Sequence, residues 1–259
     1  IRQEPEMKIL LIALMLVSFG CASFNSGGGY QPRDYSQFEL ENGLKILLIE
    51  DSSLPYFSLS LMVASGASSD PEEKSGLANF VGTLMTKGTR ERSALQLADE
   101  LGRLGAELNS SVGDDYTLLS ASSLSLQKDQ LLDIFSEVLL QPAFSKKEAD
   151  RLEMQLLAEI DKQSDYPDYF VGLAFQSYLF GDHPYARPVT GNKKSLKSIR
   201  QKDINRFYLR HYRPNNAILA VVGKFDSSIR KQLKEKFSSW EKSDIDQPKY
   251  PEFRKLMVV

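Results

Sequence analysis

Hydrophobic positions along this chain switch between a two-residue and a three-to-four-residue period, and each switch marks a predicted element. Residues 38–41 and 44–50 alternate around Asn42-Gly43, a hairpin signal in which Gly supplies positive φ. Residues 56–64 read as a third strand, 106–112 and 116–122 as a later pair, and 217–222 as a last one. Helical spacing predicts helices over about 75–86, over 93–103 through Ala94, Leu97, Ala98 and Leu101, and over 127–140 through Leu131, Ile134, Phe135 and Val138. Ser145-Lys146-Lys147-Glu148 is a capping box that opens a longer helix, which Pro167 limits. Further helices are expected near 169–180 and 201–211 and after the last strand, with His183-Pro184-Tyr185 in a loop. This order predicts an α+β fold, a two-layer sandwich of one mainly antiparallel sheet with helices packed on one face.

The N-terminal stretch has a different pattern. Met7-Lys8 precedes an apolar run over 9–20, about as long as a signal-peptide core and too short to span a bilayer. Cys21 follows Gly20 directly and resembles the bacterial lipobox, with Ser18 where Leu is usual and Phe19 where a small residue is usual. The expected organisation is an upstream extension at 1–6, a signal peptide at 7–21, a Ser/Gly/Asn-rich tether at 22–34 and a folded domain over 35–259. Lipidation at Cys21 or cleavage nearby both predict a location in the bacterial cell envelope.

Composition narrows the chemistry. With 42% hydrophobic and 25% charged residues, the 259-residue chain has ordinary globular usage. A formal net charge of -2 with scattered Lys and Arg supplies no basic surface for nucleic acid. The single Cys allows no internal disulfide, and two His cannot assemble a conventional zinc finger. No Gly-x-Ser-x-Gly nucleophile motif is present, and Gly27-Gly28-Gly29 lies in the tether.

One segment carries chemical information: Gly76-Leu77-Ala78-Asn79-Phe80-Val81-Gly82-Thr83-Leu84-Met85-Thr86-Lys87-Gly88-Thr89. It resembles the zinc helix of the M16 peptidases, the insulinase, pitrilysin and mitochondrial processing peptidase family, whose inverted His-x-x-Glu-His motif supplies two ligands and a general base. Here those positions read Asn79, Gly82 and Thr83. The resemblance continues in order through Leu104-Gly105-Ala106, Leu140-Gln141-Pro142, His183-Pro184-Tyr185-Ala186-Arg187-Pro188 and Tyr212-Arg213-Pro214-Asn215-Asn216. It implies the LuxS/MPP-like metallohydrolase fold, with this chain as the N-terminal portion of a longer protein.

Family spacing from Thr83 implies that Glu159 is the retained third-ligand position, placed on the helix face of Leu152 and Leu156 and able to project inward. One carboxylate cannot hold a catalytic zinc, so no catalytic residue, no metal ligand set and no cofactor are expected. His183, His211, Asp114, Asp115 and Asp165 lack ligand spacing and read as structural or solvated groups. The resemblance implies a non-catalytic pseudopeptidase that pairs with a zinc-bearing M16 homologue to enclose peptide substrates, held at a membrane by its lipid anchor. Two alternatives stay open: an envelope binding or assembly lipoprotein reusing the fold, and a zinc metalloendopeptidase with a non-standard metal site.

Overall fold

The computed structural model describes residues 34–245 and 250–251, and its compact unit begins at Tyr35. The expected extension, signal peptide, Cys21 and most of the tether lie outside the described residues. Six strands form one sheet in the order β1-β2-β6-β3-β5-β4. They are β1 (Ser36–Glu39), β2 (Lys45–Glu50), β3 (Tyr56–Val63), β4 (Glu107–Val112), β5 (Thr117–Leu124) and β6 (Ala217–Gly223). Every neighbouring pair is antiparallel except β2 with β6, which is parallel. The mainly antiparallel sheet expected from the sequence is therefore present.

The strand pattern shows which face is covered. Across the inner face, Phe38, Ile46, Leu219, Leu61, Leu119 and Ser110 stand in one row of the register. Ile46, Leu61, Leu119 and Leu219 in that row are buried. The next row on the outer face reads Gln37, Leu47, Ala220, Ser60, Ser120 and Asn109, and none of these is buried. Alternation of this kind is what a sheet with one helix-covered face requires.

Eight helices accompany the sheet among the described residues: α1 (Leu77–Met85), α2 (Ala94–Leu104), α3 (Lys128–Leu140), α4 (Lys146–Gln163), α5 (Pro167–Phe180), α6 (Lys193–Ser198), α7 (Gln201–His211) and α8 (Ile229–Phe237). α1 and α3 lie on the inner face, against β4 and β5, and α4 and α7 pack in turn on α1. The Ser145 cap forms as expected, accepting the Glu148 amide. The short α6 is absent from the sequence reading. Its capping box, Asn192 with Ser195, was too close to a Lys-rich stretch with little apolar periodicity to stand out. None of the helices among the described residues is long and apolar enough to cross a membrane.

The predicted Asn42-Gly43 hairpin forms, its loop closed by the Gly43 amide on the Leu40 carbonyl (2.8 Å), with strand ends that differ from those expected. The strands stop at Glu39 and Lys45, leaving 40–44 as a wider connection. Gly43 has the expected positive φ of 89°. Asn42 serves a longer-range purpose: its side-chain amide donates to the carbonyls of Phe237 (2.7 Å) and Trp240 (2.9 Å), fastening the hairpin to the end of α8. Leu40 and Leu44 turn into the core instead of continuing the strands.

Because Leu219 is fully buried on β6, between β2 and β3, Leu219→Ala is expected to destabilise the protein by about 2–5 kcal/mol in urea unfolding. On the outer face, Ser60→Ala in the adjacent strand is expected to stay within about 0.5 kcal/mol.

Candidate functional site

The start of α1 is built with unusual care. Gly76, at its N-cap, has φ 94°, and a Cβ there would lie 2.8 Å from the Thr190 carbonyl oxygen. Gly191, with φ 74°, presses back so closely that its Cβ would meet the Ser75 carbonyl at 2.2 Å. Only glycine tolerates both the dihedral and the approach at these two positions. The Ser195 hydroxyl donates to the Ser75 carbonyl (2.7 Å), and Lys74 pairs with Asp203 of α7 (2.9 Å). Two motif segments distant in sequence, 75–76 and 188–191, thus meet at one helix terminus.

Asp70 caps that terminus. Its carboxylate accepts the backbone N–H of Gly76 (2.7 Å) and of Ala78 (2.8 Å), which answers the unsatisfied donors and the positive dipole end of the helix. The Arg187 guanidinium donates to the Asp70 carbonyl at 3.2 Å, tying the His183–Arg187 segment to the same point. Asp70 is only 5% exposed, and its burial pushes the carboxyl up to about 7 against the lowering pull of the Ala78 and Gly76 amides and Arg187.

Along α1, Asn79 and Thr83 stand one turn apart and are half-buried, while Gly82 faces the sheet. A Cβ at Gly82 would lie 2.9 Å from both Ser110 Oγ and Val112 Cγ2 of β4. Ser110 Oγ is buried and has no hydrogen-bond partner among the described residues. The space into which a general base would grow is therefore filled by the edge strand. Behind α1, Ala149, Leu152, Leu156 and Ile160 form the buried stripe of α4. Glu159 does not join that stripe and is exposed, which corrects the expected inward projection.

This donor set does not fit zinc. An amide, a hydroxyl and one exposed carboxylate, with no side chain at position 82, offer neither the His and carboxylate ligands nor the base that a zinc-bound water needs. Among the described residues no group of three or more His, Cys, Asp or Glu could hold a metal.

The other groups noted in the sequence are drawn into local structure. His183 Nδ1 accepts the Tyr185 amide (3.2 Å), and its ring stacks on Tyr250 at 5.0 Å. His211 ends α7 with its ring 4.4 Å from that of Phe207. Asp165 is exposed after α4, as expected. Asp115 is exposed in the β4–β5 turn, as expected, and it also accepts from the hydroxyls of Tyr250 (3.0 Å), Ser68 (3.3 Å) and Tyr185. That hydrogen bond pushes the Tyr185 hydroxyl up to about 12, so it remains a donor at neutral pH. Asp114 is raised by burial and by the neighbouring Asp115 charge. Nothing local in the sequence signals this network, because its members are 68, 115, 185 and 250.

The fold described above is shared with known proteins. Residues 45–193 match the family model of insulinase, peptidase family M16, and 198–256 match that of the peptidase M16 inactive domain. The chain belongs to the M16 family. An uncharacterized zinc protease of Rickettsia felis is 28% identical over 82% of this M16 chain and 52% of its own length. The uncharacterized zinc protease YmxG of Bacillus subtilis is 23% identical, covering 79% and 50%. Among solved structures, a peptidase M16 inactive domain from Pseudomonas fluorescens superposes with TM-score 0.75 at 26% identity, covering 83% of this chain and 54% of that one. A protease from Helicobacter pylori shares the fold, with TM-score 0.79 at 23% identity over 85% and 55%. The chain spans about half the length of the relatives it matches.

Two outcomes are expected at this site. Gly82→Glu should destabilise the fold by about 1–3 kcal/mol in chemical denaturation, because the new side chain must displace Ser110 or Val112. Asp70 binds its proton more tightly folded than unfolded, so its contribution to stability is full below about pH 4 and is lost as pH rises towards about 7. Unfolding measured across that window should show this decline in the native protein and its absence in Asp70→Asn.

Proposed function

We propose that this M16 protein is a non-catalytic partner subunit, which pairs with a zinc-bearing M16 homologue and helps enclose the peptides that the homologue cleaves. The observation that carries the reading is the contrast at α1. Its seat is preserved in detail by Asp70, Gly76 and Gly191, yet position 82 is closed by Ser110 and Val112. A helix kept in place without ligands or base still supplies one wall of a peptide-binding chamber, and hydrolysis falls to the partner. The relatives' names as zinc proteases are consistent with zinc in members of the family.

The location proposed is the bacterial cell envelope, with attachment to a membrane through lipid on Cys21. Its support is the apolar run over 9–20 followed by Gly20-Cys21. Cys21→Ala is expected to move the protein from the membrane to the soluble fraction; retention at the membrane would refute the anchor.

The purified protein is expected to carry no stoichiometric zinc by elemental analysis and to show no chelator-sensitive peptide hydrolysis. Added to the zinc-bearing homologue of the same genome, it should raise that enzyme's peptidase activity. Full activity of the homologue by itself, or near-stoichiometric zinc in this chain with chelator-sensitive cleavage, would refute the assignment.

A further inference from the structure

The junction between the first hairpin and the end of α8 rests on a chemically reactive pair of residues. Asn42-Gly43 is the only Asn-Gly step in the chain. An asparagine before glycine is open to attack on its carboxamide by the next backbone nitrogen, because glycine has no Cβ to obstruct the approach. In the folded protein each group of that reaction is held. The Gly43 N–H donates to the Leu40 carbonyl (2.8 Å), which commits its hydrogen. Asn42 Oδ1 accepts the Leu44 amide (3.2 Å), and Nδ2 donates to the carbonyls of Phe237 (2.7 Å) and Trp240 (2.9 Å). Trp240 is buried and is itself fixed by its indole N–H on the Tyr212 carbonyl (3.1 Å). Asn215 closes the other side: a Cβ on Gly43 would lie 2.9 Å from Asn215 Cβ, and the Asn215 amide also holds the Ser243 carbonyl (2.8 Å).

We propose that Asn42 is a covalent modification site gated by this junction, deamidated when the chain at Phe237–Trp240 lifts off the hairpin. Released from those two carbonyls, the carboxamide can turn back onto Gly43. The Gly43 nitrogen gives its proton to solvent and forms a bond to Asn42 Cγ; the Cγ–Nδ2 bond breaks, and Nδ2 takes up a proton and leaves as ammonia. Water then opens the succinimide ring at either carbonyl, giving aspartate or isoaspartate, with no change of oxidation state. Either product sets a carboxylate where an amide donated to two carbonyls, so those hydrogen bonds cannot re-form. In isoaspartate the main chain also runs through Cβ, which lengthens the 40–44 connection. A transient opening at the end of α8 thereby becomes a permanent loss of its hold on the hairpin.

The test incubates the full chain at mildly alkaline pH, folded and in urea, and reads the Asn42 peptide by mass spectrometry that separates asparagine, aspartate and isoaspartate. Conversion should be at least about 10-fold faster in urea, where the junction is open throughout. In urea Gly43→Ala should slow it by about the same factor, since folding no longer matters there and the added methyl only obstructs attack. Trp240→Phe removes the indole donor and keeps an aromatic ring; in the folded variant conversion at Asn42 should rise about 3-fold, with no rise at Asn109 of β4. Asn42→Asp carries the product's carboxylate from the start and should lower the thermal midpoint by about 4–8 °C. Equal conversion in folded and unfolded chain, an unchanged rate in folded Trp240→Phe, or a rise shared by Asn109 would overturn the gate. No conversion in urea would overturn the site itself, and an unshifted midpoint in Asn42→Asp would overturn the loss of the fastening.

Discussion

The fold depends on β6 reaching the gap between β2 and β3. Those two strands are neighbours in sequence, yet they are separated in the sheet by a segment that follows more than a hundred residues later. β6 is parallel to one neighbour and antiparallel to the other, and its inward Leu219 and Val221 are fully buried. At its end, Gly223 comes so close to Tyr56 that a Cβ would lie 2.1 Å from the Tyr56 carbonyl, and Lys224 donates to that same oxygen at 2.7 Å. Until β6 arrives, the sheet lacks its middle and the inner face has no continuous floor for the helices. Such long-range closure is costly in chain entropy and repaid by burial across the whole sheet.

On that floor, α1 shows how structural and chemical requirements separate. Its anchoring uses a buried carboxylate, two glycines at positive φ and a hydrogen bond from α6. At its far end, Thr89 accepts the Arg92 amide and bonds Glu137, fixing the exit of the motif to α3. Between these anchors Asn79 and Thr83 are half-buried and Gly82 is packed against the sheet. Gly82 is a packing position, since a Cβ there would lie 2.9 Å from Ser110 Oγ and Val112 Cγ2 of β4.

The His183–Tyr185 segment links three neighbourhoods. It reaches Asp115 through the Tyr185 hydroxyl, Tyr250 through stacking on His183, and α5 through the Tyr185 carbonyl, while Arg187 reaches back to Asp70. The α1 terminus, the β4–β5 turn and α5 are therefore mechanically coupled through one short stretch of chain.

Local sequence determined most of the elements and the family. Period-two and helical spacing placed the six strands and all helices but α6, the Ser145 box placed the start of α4, and the motif order from Gly76 to Asn216 carried membership of M16. That positions 79, 82 and 83 read Asn, Gly and Thr is also a fact of sequence. Tertiary structure alone decided the parallel pairing of β2 with β6, the turning of Asn42 towards Phe237 and Trp240, the outward exposure of Glu159, and the assembly of Asp115 with Ser68, Tyr185 and Tyr250. It also decided that Ser110 and Val112 close position 82. The division has one physical cause: periodicity, caps and turns act over a few residues and are written locally, whereas register, burial and hydroxyl networks are set by which distant segment the sheet brings within reach.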